Sequence, residues 1–253
     1  MGILCVLPAR GGSRGIEHKN LRLIDGKPLV ARALDVLARV PQIKHTVVST
    51  DDATIAAVVR LHGGEVIERP EPLATDDCPV APSIQHAVAS LGWQGPVLTF
   101  QPTCPTLTTQ DVVAFIDGWQ VSACASGGIV TPEPHLLWDD HGPLYENRTQ
   151  RQQATEHFRE LGVFVSAQVP VGPLDPLVGH PHYRHVIPAG VDIDSLDDLE
   201  AARRALGRRQ IEFRVIAGPR VGSGHVRRAE ALAAELAHHD CVIVHSNGES
   251  VPR

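Results

Sequence analysis

The chain has 253 residues, 43% of them hydrophobic, which is enough for a buried core and excludes a wholly disordered chain. The formal net charge of −6 is unevenly spread: residues 1–44 carry eight Lys/Arg against three Asp/Glu, a net of +5, which leaves −11 for the rest. A short basic segment on an acidic protein points to a local anionic ligand and argues against long nucleic acid, which needs an extended basic surface.

The elements are read in chain order from apolar periodicity and punctuation. Ile3–Leu7 is a short strand, and with no basic region ahead of it the N-terminus does not read as a signal peptide. Residues 29–40 place Leu29, Ala33, Leu34, Leu37 and Val40 on one helical face. Residues 45–49 form a strand, Thr50-Asp51-Asp52 a capping signal, residues 53–62 a helix that Gly63-Gly64 ends, and residues 65–68 another strand. Helices follow at 83–91 and 110–121, with strands at 96–100, 124–130 and 162–166. The polar stretch 135–153 reads as a hairpin or excursion, and 171–187, rich in Pro, Gly and His, as a long loop in which His180, His182 and His185 lie at the surface. After the basic run at 201–210 come a strand (213–217), a glycine-rich loop, a helix (226–239) and a strand (241–245).

This alternation predicts an α/β fold with a mostly parallel sheet, whose ligands bind in the loops beyond the carboxyl ends of the strands. No apolar run reaches about 18 residues, which excludes a membrane-spanning helix. The five cysteines lack CxxC or CxxH spacing, which argues against zinc and for reduced thiols in a cytoplasmic protein.

Two constellations carry chemistry. Directly after the first strand, Gly11, Gly12 and Gly15 let backbone N–H groups approach an anion, Ser13 adds a hydroxyl, and Arg10, Arg14 and Lys19 add positive charge. A nucleoside triphosphate needs that combination, because its departing pyrophosphate must be neutralised. The loop is neither a Walker A motif nor a dinucleotide fingerprint. The second is Asp192-Ile193-Asp194: on extended chain, i and i+2 share a side, and two carboxylates there suit a hard cation such as Mg²⁺. In the acidic stretch that follows, Ser195 reads as a helix N-cap, with Asp197 and Asp198 complementing the helix dipole.

The opening segment 7–34 resembles that of the acylneuraminate cytidylyltransferases, the family that activates sialic acid and related nonulosonic acids with CTP. The resemblance continues in order through Val48–Asp52, Glu68–Asp76, Phe100–Pro105 and Val191–Asp194, covering about residues 1–206. It implies a Rossmann-like nucleotidyltransferase with a small dimerisation excursion. It places CTP on Arg10, Gly11, Gly12, Ser13, Arg14, Lys19, Asn20 and Arg69, and the sugar acid on Gln101 and Arg151. It implies Mg²⁺ on Asp192 and Asp194, with Arg10, Lys19 and Asp192 catalytic, in a cytoplasmic homodimer that binds neither nucleic acid nor membrane.

The chain also departs from the family. An arginine expected after Pro105 is replaced by Thr106-Leu107, and the family's Arg-Pro-Asn-Gly reads Arg159-Glu160-Leu161-Gly162. The acceptor motifs are thus less complete than the CTP motifs. Another acceptor, an octulosonate or a phosphonate, and a nucleotide-binding scaffold whose acceptor site has decayed, stay open as alternatives. The tail, Val215–Ala229, resembles the start of the UDP-sugar hydrolases of pseudaminic acid synthesis, whose Gly-x-Gly-His turn carries a catalytic histidine. Residues 207–253 are therefore expected to be a linker and a truncated β-loop-α-β start of a second domain, in which His225 is inert.

Overall fold

The computed structural model describes residues 2–133, 138–143, 157–167, 179–207, 210–216, 224–235 and 240–246. Thirteen strands and six helices are formed among them. The strands are β1 (Ile3–Pro8), β2 (Leu23–Ile24), β3 (Lys27–Pro28), β4 (Ile43–Thr50), β5 (Glu65–Glu68), β6 (Val97–Phe100), β7 (Ser126–Glu133), β8 (Trp138–Asp139), β9 (Gly142–Pro143), β10 (His157–Ser166), β11 (His182–Val186), β12 (Gln210–Ile216) and β13 (Asp240–Ser246). The helices are α1 (Leu29–Leu37), α2 (Ala53–Leu61), α3 (Val80–Leu91), α4 (Thr109–Ser122), α5 (Leu196–Leu206) and α6 (Gly224–Glu235). They fall into two compact units, residues 1–202 and 203–253.

The first unit is built on a seven-stranded sheet in the order β11-β7-β10-β6-β1-β4-β5. β1 pairs in parallel with both β4 and β6, β4 with β5, and β11 with β7, whereas β10 runs antiparallel to β6 and β7. The period of two in β1 decides which residue faces which helix. Ile3, Cys5 and Leu7 join the core formed with α1, α2 and α4, while Leu4 and Val6 join Ile84 and Ala87 of α3 on the other face. Both faces of β1 are sealed, so it reads as an unbroken apolar run. Burial at each such position contributes about 1.5–3 kcal/mol.

Helix starts are set by local chemistry. The Asp52 carboxylate accepts from Thr54 N at 2.7 Å and Ile55 N at 2.8 Å, capping α2. Thr108 and Asp111 form a reciprocal capping box on α4. Ser195 and Asp198 do the same ahead of α5: Ser195 N donates to Asp198 Oδ2 at 2.9 Å and Asp198 N to Ser195 Oγ at 3.2 Å. These bonds, the Ser195 hydroxyl foremost, hold the Asp198 carboxyl below its ordinary range.

One expectation is corrected. The segment 171–187, read as a long loop, contains β11, which extends the sheet beside β7. His182 and His185 are strand residues: Tyr183 stacks on Phe115 with ring centroids 6.2 Å apart, and the His185 ring lies 6.0 Å from the same phenylalanine. Pro and Gly around the strand masked a signal that pairing with β7 and packing on α4 supplied. The excursion expected at 135–153 is described only at its hairpin, β8–β9; its remainder lies outside the described residues.

In the second unit β12 and β13 pair in parallel along their whole length with α6 between them in sequence. The strand, helix and strand read at 213–217, 226–239 and 241–245 are thus formed in that order, with shifted ends.

Candidate nucleotide-binding site

Where β1, β4 and β6 end, the chain leaves a cleft of about 340 Å³. Arg10, Ser13, Arg14, Lys19 and Asn20 come to it from the loop after β1, Arg69 from the end of β5, and Gln101 and Thr103 from the end of β6. Asp194 lines it from a segment more than 170 residues away from Lys19 in sequence.

The loop after β1 is held at several points. The Asn20 side-chain amide donates to Arg10 O at 3.0 Å, and Gly11 N donates to Asp51 Oδ1 at 3.0 Å. Gly15 is required by close approach: a Cβ there would sit 2.3 Å from the Asp194 carbonyl oxygen. Gly12 makes no such approach, since a Cβ on it would meet nothing within 4 Å. Lys19 Nζ donates to Ile193 O at 2.8 Å and pairs with Asp194 Oδ1 at 3.1 Å, so the two constellations read from sequence meet at this lysine.

Arg69 is only 7% exposed. Its guanidinium donates to Ser49 Oγ at 3.1 Å and to Ser49 O at 2.7 Å, fixing it to the end of β4. Burial lowers its pKa and Asp51 opposes that shift; an arginine stays charged in either case. Gln101 is set by the neighbouring antiparallel strand: Gln101 N donates to Gly162 O at 2.9 Å, and Gly162, at φ +66°, lies so close that a Cβ would be 3.0 Å from Gln101 Cβ.

Asp192 and Asp194 differ in setting. Asp194 is exposed and paired with Lys19, whereas Asp192 is half-buried. Burial pushes the Asp192 carboxyl above its ordinary range, opposed by the Thr103 hydroxyl and assisted by the charge of Asp194. Asp192 Oδ1 is buried without a hydrogen-bond partner of normal geometry among the described residues, and the Thr103 hydroxyl is set close enough to its carboxyl to favour the charged form. An orphaned carboxylate oxygen beside a second carboxylate fits a hard cation. No group of three His, Cys, Asp or Glu suited to a metal occurs among the described residues. A cation here would therefore take its other ligands from nucleotide or water.

Some features were not read from the residues alone. Asp76 and Asp77, within or beside the Glu68–Asp76 motif, pair with Arg10 and Arg14 across the cleft. Ser49 and Asp51 hold Arg69 and Gly11. A density of acids opposite a basic loop was the available signal. The two acceptor-motif departures have structural uses: Thr106 Oγ1 accepts from Val191 N at 3.1 Å, and Leu161 is buried in the core. Glu160 beside it is held above the ordinary carboxylate range, by burial and then by the charge of Asp192. Arg151 lies outside the described residues.

Two thiols near the sheet are kept inert by burial. The Cys104 thiol is pushed up to about 11 and that of Cys5 well above its ordinary value. Iodoacetamide near neutral pH is expected to modify the half-buried Cys78 while sparing Cys5 and Cys104 until the chain is unfolded, as peptide mass spectrometry will show.

The family model described as "Cytidylyltransferase" matches residues 4–94. An N-acylneuraminate cytidylyltransferase of Escherichia coli is 28% identical over 118 residues, which are 47% of this chain and 28% of that protein. The chain thus spans under a third of that relative's length. A pseudaminic acid cytidylyltransferase of Campylobacter jejuni is 25% identical over 218 residues, covering 79% of this chain and 94% of the relative. Among solved structures, a CMP:2-keto-3-deoxy-manno-octonic acid synthetase complexed with CTP superposes with a TM-score of 0.62 at 17% identity, covering 82% of this chain and 99% of its own; that likeness speaks for the fold.

Proposed function

We propose that this chain, whose residues 4–94 match the cytidylyltransferase model, joins CTP to a nonulosonic acid, giving the CMP-sugar acid and pyrophosphate. The observation that carries this reading is the single cleft in which Arg10, Arg14, Lys19 and Arg69 converge with Gln101 and Asp194. Four cations there suit a polyphosphate, and an amide at the strand end suits a sugar acid.

The anomeric hydroxyl of the acid attacks the α-phosphorus, forming the new O–P bond as its proton passes to water. The bond from that phosphorus to the bridging oxygen breaks, and its electron pair leaves with pyrophosphate. Arg10, Arg14 and Lys19 meet the charge that grows on the leaving group, where fixed cations act most strongly. Arg69, held rigid by Ser49, presents its remaining N–H groups to the base end of the cleft. Gln101, pinned against Gly162, orients the acceptor. Asp192 and Asp194 would hold Mg²⁺, which when bound supplies charge neutralisation at the phosphate oxygens. Arg151 and the homodimer belong to the same proposal, through the excursion at 135–153.

The test is pyrophosphate release with CTP, Mg²⁺ and a panel of neuraminic, pseudaminic and legionaminic acids, with an octulosonate and a phosphonate as comparison. Release with at least one nonulosonic acid is expected. Release with an octulosonate or phosphonate alone reassigns the acceptor, and CTP binding without release from any acceptor sinks the enzymatic reading.

A further inference from the structure

The three cations that the loop after β1 brings to the cleft, Arg10, Arg14 and Lys19, are each already paired with a carboxylate of the chain itself. Arg10 NH1 lies 2.6 Å from Asp76 Oδ1; Arg14 reaches Asp76 Oδ2 through Nε at 3.2 Å and Asp77 Oδ1 through NH2 at 2.8 Å; Lys19 holds Asp194. Asp76 thus receives two arginines from two directions, as a phosphate group would. Asp76 and Asp77 sit on a turn between the 3₁₀ turn Glu71–Leu73 and the start of α3, outside any helix or strand. Asp77 and Arg14 are largely exposed and Asp76 about half exposed, so the pairs to Arg14 are weak and exchangeable; Arg10 is the more enclosed partner.

We propose that Asp76 and Asp77 are exchangeable counter-anions: they occupy Arg10 and Arg14 in the empty cleft, yield them to the triphosphate, and reclaim them as pyrophosphate leaves. The assignment rests on the reading that these arginines take a polyphosphate. A ligand that needs both arginines must displace the carboxylates, so its apparent affinity is lowered by the fraction of molecules in which the arginines are free. The pairs thereby oppose tight retention of pyrophosphate, the product that competes for the same groups. A monophosphate that does not reach both arginines is untouched by the exchange. Asp76 and Asp77 are positioning residues in this scheme, acting through the arginines.

The test is calorimetric titration of inorganic pyrophosphate, CTP and CMP into the wild-type chain, the double variant Asp76→Asn/Asp77→Asn and the single variant Asp77→Asn. Glu71→Gln serves as a control that removes one charge from the same segment without touching either arginine. The double variant is expected to bind pyrophosphate and CTP about three- to tenfold more tightly, the single variant to lie between, and CMP to change by less than about twofold. Glu71→Gln is expected to bind all three as the wild type does. Unchanged or weaker pyrophosphate binding by the double variant overturns the proposal, as does equal tightening by Glu71→Gln, which would reveal only a general field. Absence of pyrophosphate binding by every protein overturns it too. Tightened pyrophosphate binding without any CTP binding keeps the exchange and removes the nucleotide reading instead.

Discussion

Asp192→Asn is expected to lower pyrophosphate release by about a thousandfold, the scale on which a pre-set charge at a transferring phosphoryl group acts. The substitution is isosteric, so the segment that passes Ile193 N to Thr103 O and Ile193 O to Lys19 keeps its bonds. Burial holds the Asp192 carboxyl above its ordinary range, and its Oδ1 lacks a partner among the described residues. Its charge is therefore a cost to the empty fold, and urea unfolding of the variant should show equal or greater stability. CTP binding measured without divalent cation should change little. A variant that retains turnover refutes the role given to Asp192, and one that loses CTP binding together with its fold would make the residue structural.

Arg69→Ala is expected to strike stability and binding together. Ser49 Oγ loses its donor, and Ser49 O loses one donor while keeping the N–H of Ala9 at 2.9 Å, at a residue that is fully buried. Leaving such a group unpaired costs about 1–3 kcal/mol, readable as a lower urea midpoint at unchanged slope. CTP affinity should fall by about ten- to a hundredfold with it. Arg69→Lys separates the two roles: it keeps the charge but loses the fork that grips Ser49 in two places. Lysine should restore part of the nucleotide affinity and little of the stability. Full recovery of both would mean that Arg69 acts as a point charge alone.

Much of the fold was legible because its signals are local. Residues 3–7 and 97–100 are apolar on both faces since helices cover both sides of a parallel sheet. Asp52 and Ser195 announce their helices because a capping side chain answers N–H groups only two or three residues on. β11 was missed because its pairing partner, β7, lies more than 50 residues away, and nothing within His182–Val186 carries that information.

The site divides along the same line. Residue types alone gave the basic, glycine-rich loop Arg10–Asn20 and the two carboxylates at 192 and 194, since charge density and i, i+2 spacing are properties of the chain. Only the tertiary structure decided that Lys19 joins these two segments, that Gly15 must be glycine because Asp194 O lies against it, and that Asp76 and Asp77 already neutralise Arg10 and Arg14. Each of these facts is a distance between segments far apart in sequence. Such distances are fixed by how the sheet order brings β1, β4 and β6 to one edge, which no window of the sequence contains.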